Sequence, residues 1–536
     1  MELTLKGIKN NGEWQKAEIE LPAYDVRKII EKTIEAPRWV HFGIGNIFRI
    51  FIGGIADSLL EQGELDRGLT CVESFDYDIV DKICIPFDNL ALSVILNGDG
   101  TQDKRVLGSF AEVVKAKSDD KKAWNRLKEI FSSKDLQIIS FTITEKGYQL
   151  RKTNGDLFKI SEDDIANGPE KVIGTMAIVT AMLFERFLKN AAPIALVSMD
   201  NCSQNGIKLR EPIIEIAYEW FKRGFVTEEF VAYVKDDKKV SFPWTMIDKI
   251  TPRPSKKVAD TLEALGVKNM QPVITLKKTY IAPFVNAENP QYLVVEDNFP
   301  NGRPRFETAG IYMVDRDTVN KSERMKVSAC LNPIHTALGP YGCMLGYDLF
   351  SDEIRDPDMH KLAEIIGYKE GMDVTPDPVV LSPKDFLDEC MNNRFPNPYL
   401  GDTCLRLCTD VSQGLGVRFG VTINSYVKKY GDAKKLIGIP IAIAGWLRYL
   451  LGVDDKGDSY ELAPDPMAEE CIKRISSIKV GRPETMKDQL KWILSNKNLF
   501  LANLYETGIG EKIEEIFKEE ISGLGAVRAT VRKYLT

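Results

Sequence analysis

The feature that most constrains this chain is an alternation, kept up to about residue 295, between short apolar runs and longer amphipathic ones. The runs at 39–44, 69–75, 92–96, 137–142, 194–199 and 292–295 read as strands. Between them, 47–62, 123–131, 169–189 and 206–223 repeat their apolar residues at helical spacing. Strands that are apolar along their whole length must be covered on both faces. The pattern therefore predicts an α/β fold, a mostly parallel, doubly wound sheet with helices on each side. Beyond about residue 305 helical patterns dominate, at 333–350, 359–366, 383–392, 434–451, 467–477, 485–495 and 512–521. A proline- and glycine-rich stretch at 296–304 marks the change, so the expected domains are 1–295 and a largely α-helical 296–536. The cleft between them is the expected ligand site.

A length of 536 residues suits such a division, at roughly 100–200 residues per domain. The 71 basic against 78 acidic side chains leave a net charge of −7, which argues against a nucleic-acid partner. The N-terminal residues lack the basic-then-apolar pattern of a signal peptide. No apolar run approaches the ~20 residues that span a bilayer. A soluble cytoplasmic protein, a monomer or small homo-oligomer without a membrane partner, is expected. Nine cysteines without a C-x-x-C pair, and only three histidines, speak against a Cys/His zinc site.

Three segments carry candidate chemistry. In 38–60 an apolar strand runs into Gly43-x-Gly45, and an amphipathic helix starts near Asn46. Such glycines let the backbone approach a diphosphate seated on the free amides of a helix N-terminus. Position 48 is Phe where the dinucleotide fingerprint has its third glycine. The next strand ends in acids. Glu73, 28 residues beyond Gly45, or alternatively Asp76, is placed to accept from ribose hydroxyls, which favours NAD over NADP. In 198–206, Asp200, Asn201 and Asn205 follow a strand, where an open sheet delivers ligand-binding groups; capping of the next helix is the alternative reading. In 323–342, Lys326, Asn332 and His335 offer a base, an amide and an imidazole. Asn332 and His335 share a helix face, whereas Lys326 lies about 120° away on a continuous helix. Pro333 argues that the helix is interrupted. His41 is expected to bond inside the sheet and His360 to face solvent.

Together these segments resemble the polyol-specific long-chain dehydrogenases. The matching stretches are HFGIGNIFR, TITEKGY (142–148), SMDNCSQNG, PWTMIDKITP (243–252), VEDNFPNGRP (295–304), Glu323-x-x-Lys326, LNPIHTAL (331–338) and NRFPNPYLGDT (393–403), in the family's order. The resemblance implies a Rossmann-type domain followed by a helical domain, a bound NAD(P) and no metal. It implies Lys326 as catalytic base, Asn201 and Asn332 as holders of the substrate oxygen, and His335 as an orienting residue. Glu323 matches a residue on the proton's exit route, and Asp248 and Arg394 match substrate contacts. This chain has five residues between the lysine and the asparagine where the family has four, and a helix bulge is the least costly way to absorb the extra one. Gly401 stands about where polyol-oxidising members carry a lysine. With Arg394, Arg406 and Arg418 available to pair a carboxylate, the expected reaction interconverts D-mannonate and D-fructuronate. Mannitol 2-dehydrogenase or tagaturonate reductase activity is the alternative, and a non-catalytic NAD-binding sensor the remote one.

The chemistry itself demands such a set. Hydride leaves a secondary alcohol readily only as the hydroxyl proton departs. A lysine of pKa ~10.4 serves as base at neutral pH only if its surroundings lower that value. Two amide donors then stabilise an oxyanion that exists only in the transition state.

Overall fold

Six strands form the central sheet of the N-terminal part: β1 (Trp39–Phe42), β2 (Leu69–Glu73), β3 (Phe110–Lys115), β4 (Ile138–Phe141), β5 (Ile194–Ser198) and β6 (Val240–Ser241). They are all parallel, in the order β3-β2-β1-β4-β5-β6. Every residue of β1, β2, β4 and β5 is buried, because helices cover both faces. One face packs Val40, Phe42 and Ile139 against Trp124, Leu183 and Trp220; the other packs Trp39, Cys71 and Val197 against Phe51, Leu59 and Phe306. This is the doubly wound dinucleotide-binding order, in which the direction of winding reverses between β1 and β4. The computed structural model describes every residue except Thr153 and Pro466, and it divides into two units, Met1–Asn320 and Lys321–Thr536.

All six apolar runs are strands, but two of them belong to other sheets. Ala91–Leu96 pairs antiparallel with Gln102–Leu107 and parallel with Phe284–Ala287; Tyr292–Glu296 pairs antiparallel with Thr245–Asp248. An apolar run reports burial, not the sheet that buries it. The sequence reading passed over β3, half of whose residues are only half-buried, among them Glu112, ion-paired with Arg126.

In the C-terminal unit the described residues form helices, joined by loops with isolated bridges. Its central helix, Gly438–Tyr449, is buried along its whole length. Arg448 is satisfied there by the carbonyls of Val453, Asp454 and Glu520. The hydroxyl of Tyr341 lies 2.6 Å from the Glu520 carboxyl, and burial pushes that carboxyl up to about 8. No described helix is long and apolar enough to cross a membrane.

Candidate active site

The site in the N-terminal unit grows from the carboxyl ends of β1, β2, β4 and β5. Gly43 leaves β1 at φ +96°, where a Cβ would stand 2.2 Å from the Thr142 carbonyl oxygen, so only glycine fits. A Cβ on Gly45 would meet nothing within 4 Å, which leaves the backbone there open to a ligand. The helix that follows begins at Asn46, passes through a π-helical turn at Phe48–Ile52 and continues as α1 (Gly53–Glu61). The π turn explains the missing third glycine. Phe48 is fully buried and stacks on His41 at 4.0 Å, while the close approach of helix to sheet moves to Gly53, where a Cβ would meet the Phe110 ring at 2.3 Å. His41 lies inside the sheet between the hydroxyls of Ser140 (2.6 Å) and Thr142 (2.9 Å), and burial holds it well below the usual imidazole range.

Glu73, expected at the ribose, is engaged by its own backbone. It is 4% exposed, and its carboxylate accepts from the amides of Ile44 (3.1 Å), Phe75 (2.9 Å) and Asp76 (3.1 Å). The carboxylate thus ties the middle of the glycine turn to the end of β2, and burial raises its pKa against those three bonds. Asp76 is likewise engaged, accepting from the hydroxyls of Thr275 (2.6 Å) and Thr279 (2.5 Å). Arg49 went unread in the sequence. Buried in the π turn, it donates to the carbonyls of Ala282 (2.7 Å) and Phe284 (3.2 Å) and to Asn46 Oδ1 (3.4 Å). Its only sequence signal is a charge within an apolar helix start.

After β5, Asp200 clamps the 142–148 loop. It accepts from the amides of Ile143 (2.9 Å) and Thr144 (3.0 Å) and from the Tyr148 hydroxyl (2.6 Å). Asn205, 1% exposed, bonds Thr245 through both ends of its carboxamide. Neither caps the helix Asn205–Lys222, whose N-cap position, Gln204, makes no side-chain capping bond. Asn201 is exposed in the bend just beyond the strand. Asp248 ends the strand Thr245–Asp248 and is 5% exposed.

In the C-terminal segment, helix α2 (Arg316–Met325) carries Glu323 and gives way at once to a π-helical turn, Lys326–Cys330. The Leu331 amide donates to the Lys326 carbonyl at 3.1 Å, five residues back. The extra residue before Asn332 is absorbed in this turn, as the sequence reading expects. Lys326 is 1% exposed. Helix α3 (Asn332–Leu345) follows with Pro333 in its first turn, where its missing N–H costs nothing. Its N-cap is Leu331, so Asn332 is the first helical residue. The Oδ1 of Asn332 is buried without a partner, which marks a carboxamide not spent on the fold. His335 lies edge-on to Phe350 (4.8 Å) and beside Phe395 (5.0 Å), which fix its ring plane.

Arg394 closes another π turn, Cys390–Arg394, and is buried. Arg406, expected at the substrate, has a side chain 60% exposed and ion-paired with Asp402 four residues before it. Gly401, at φ +65°, ends a short 3₁₀ turn. Among the described residues no group of three His, Cys, Asp or Glu is placed to hold a metal ion.

Comparison with known proteins agrees with this geometry. Residues 37–308 match the mannitol dehydrogenase Rossmann domain and residues 318–519 the mannitol dehydrogenase C-terminal domain. A D-mannonate oxidoreductase of Thermotoga maritima is 47% identical, over 99% of each chain. A mannitol 2-dehydrogenase of Phaeosphaeria nodorum is 28% identical over 86% of this chain and 78% of its own length. Among solved structures, Pseudomonas fluorescens mannitol 2-dehydrogenase, in a ternary complex with NAD and D-mannitol, superposes with a TM-score of 0.75 at 25% identity, covering 100% of this chain and 99% of that one. Substrate-free D-sorbitol dehydrogenase gives 0.79 at 24% identity over 96% and 98%, a likeness of fold.

Proposed function

Since the chain belongs to the mannitol dehydrogenase family, and so is a dehydrogenase acting on CH–OH groups, we propose that it interconverts D-mannonate and D-fructuronate with NAD as its cofactor. The observation that carries this reading is the 47% identity along 99% of the chain to a D-mannonate oxidoreductase, against 28% to a mannitol 2-dehydrogenase. The NAD-containing complex of the Pseudomonas fluorescens relative supports the choice of cofactor.

The glycine turn fits a dinucleotide: the backbone is bare at Gly45, and Gly43 admits no side chain. Gly43, Gly45 and Asn46 hold the diphosphate, and Glu73 keeps their turn in shape from below. A bound NAD would supply the hydride acceptor for the carbinol carbon, and NADH the hydride donor in the reverse direction. Lys326, 1% exposed, takes the hydroxyl proton in the oxidative direction and returns it in the reductive one. Asn201 and Asn332 hold the substrate oxygen, where donors aimed at developing charge act in the transition state. His335, its ring fixed by two phenylalanines, orients the substrate. Asp248 and Arg394 contact its remaining polar groups. Glu323, one helical turn before Lys326, passes the proton towards solvent.

Steady-state rates of NADH oxidation with D-fructuronate, D-tagaturonate and D-fructose test the reading. The highest kcat/KM is expected for D-fructuronate, and faster turnover of D-fructose refutes it.

A further inference from the structure

Arg418 stands out among the charged groups of the C-terminal unit. It lies in the π-helical turn Gly416–Gly420, and its Nη1 donates to the Thr336 hydroxyl at 2.6 Å. Among the described residues it pairs with no carboxylate, whereas Arg406, Arg474 and Arg528 pair with Asp402, Glu470 and Asp356. Burial lowers its pKa, with no neighbouring acid to oppose the effect. The side chain is half-buried, and a partly desolvated guanidinium with no counter-charge from the protein is a ready partner for an anion. Its Nε and Nη2 bond to no protein atom and are not sealed off, so they stay open to an anion.

The surroundings are built for this side chain. The guanidinium lies over Gly414, where a Cβ would stand 2.7 Å from Nε and 2.8 Å from Cζ. Its π turn is fastened to the π turn of Lys326: Ser328 donates to the Val417 carbonyl at 2.9 Å, and Thr422 to the Ser328 carbonyl at 3.0 Å. Thr336, which anchors the guanidinium, follows Asn332 by four residues on α3, so the two share a face about one turn, ~6 Å, apart. That spacing suits a sugar acid whose oxygen at the reacting carbon meets Asn332 while its terminal carboxylate lies further along.

We infer that Arg418 recognises the carboxylate of the sugar-acid substrate and sets the preference for a uronate over the neutral ketose. This rests on the reading of the reaction given above. The test compares kcat/KM for D-fructuronate and for D-fructose, with NADH, in the wild type, Arg418→Lys, Arg418→Gln and Gly414→Ala. In Arg418→Gln the value for D-fructuronate should fall roughly 10²-fold while that for D-fructose changes little. Arg418→Lys should fall in between, since an ammonium keeps the charge but loses the two-pronged geometry. Gly414→Ala should move the ratio the same way by displacing the guanidinium. If the glutamine variant fails to fold, the lysine and alanine variants carry the same ratio. Equal losses on both sugars, or an unchanged ratio, overturn the assignment. A raised KM for NADH with an unchanged sugar ratio also overturns it, giving Arg418 to a cofactor anion. A wild type that ignores D-fructuronate overturns the reaction reading itself, and Arg418 with it. A wild type that turns it over, with variants that keep its ratio, overturns Arg418 alone.

Discussion

Replacing Glu73 with Gln separates two tasks that one acidic residue at the end of β2 can perform. In the structure three backbone amides converge on its carboxylate, from Ile44 on one oxygen and from Phe75 and Asp76 on the other. Glutamine keeps one carbonyl oxygen. Aimed at Phe75 and Asp76, it leaves the Ile44 N–H facing an NH₂ group. Turned round, it leaves two donors without acceptors. The lesser loss, one buried donor unsatisfied, costs about 1–3 kcal/mol. That cost falls on the turn between Gly43 and Gly45, so NADH affinity should drop by roughly 5- to 150-fold as the competent turn is depopulated. Titration of NADH fluorescence on the variant measures the affinity, and a thermal melt reads the same loss without ligand. Wild-type affinity together with an unchanged melting temperature would falsify the claim that Glu73 holds the turn.

Lys326→Met should lower kcat by roughly 10²- to 10⁴-fold with NADH affinity preserved, as loss of a general base demands; single-turnover rates decide, and a wild-type kcat removes Lys326 from the chemistry. The raised Glu520 carboxyl makes stability depend on pH with a fixed sign. Its folded pKa, about 8, exceeds its ordinary 4.5, so the neutral form stabilises the fold in mild acid and that contribution is lost as pH climbs from about 4.5 towards about 8. The wild type should therefore melt lower at about pH 9 than at about pH 5, and Glu520→Gln should flatten that slope. Parallel slopes in the two proteins refute it.

Burial was the legible part of this chain. The four strands buried at every position, β1, β2, β4 and β5, were read within two residues at each end, because strands covered on both faces are mostly apolar. β3 stayed hidden because Glu112 and Lys115 interrupt its apolar residues. Motif reading found the Gly43 turn from its composition, yet it assigned Glu73 by analogy of position. Whether a carboxylate faces a ligand or its own backbone depends on where the next residues turn, and Phe75 and Asp76 fold back onto it. Arginine shows the same limit. Arg406 and Arg418 look alike in sequence, but one sits beside Asp402 and the other beside a threonine.

The π turns are a different matter, for they leave almost no trace in composition. KVSAC holds no strong helix breaker, and the two glycines of GVRFG disfavour an α-helix without announcing a bond that skips to the fifth residue. At Lys326 the sole sign was a length, one residue too many before Asn332. A helix absorbs an extra residue most cheaply by widening one turn, and it tolerates the poorer geometry where packing on neighbours compensates. Here the compensation is visible: the widened turn at Lys326–Cys330 is fastened to the widened turn at Gly416–Gly420 by the Ser328 and Thr422 bonds. Two local defects thus support each other, and between them they carry Lys326 and Arg418. Shortening the first turn to a regular helix would rotate every residue before it by about 100°. Glu323 would swing away together with Lys326, while Asn332 and His335 stayed where α3 holds them.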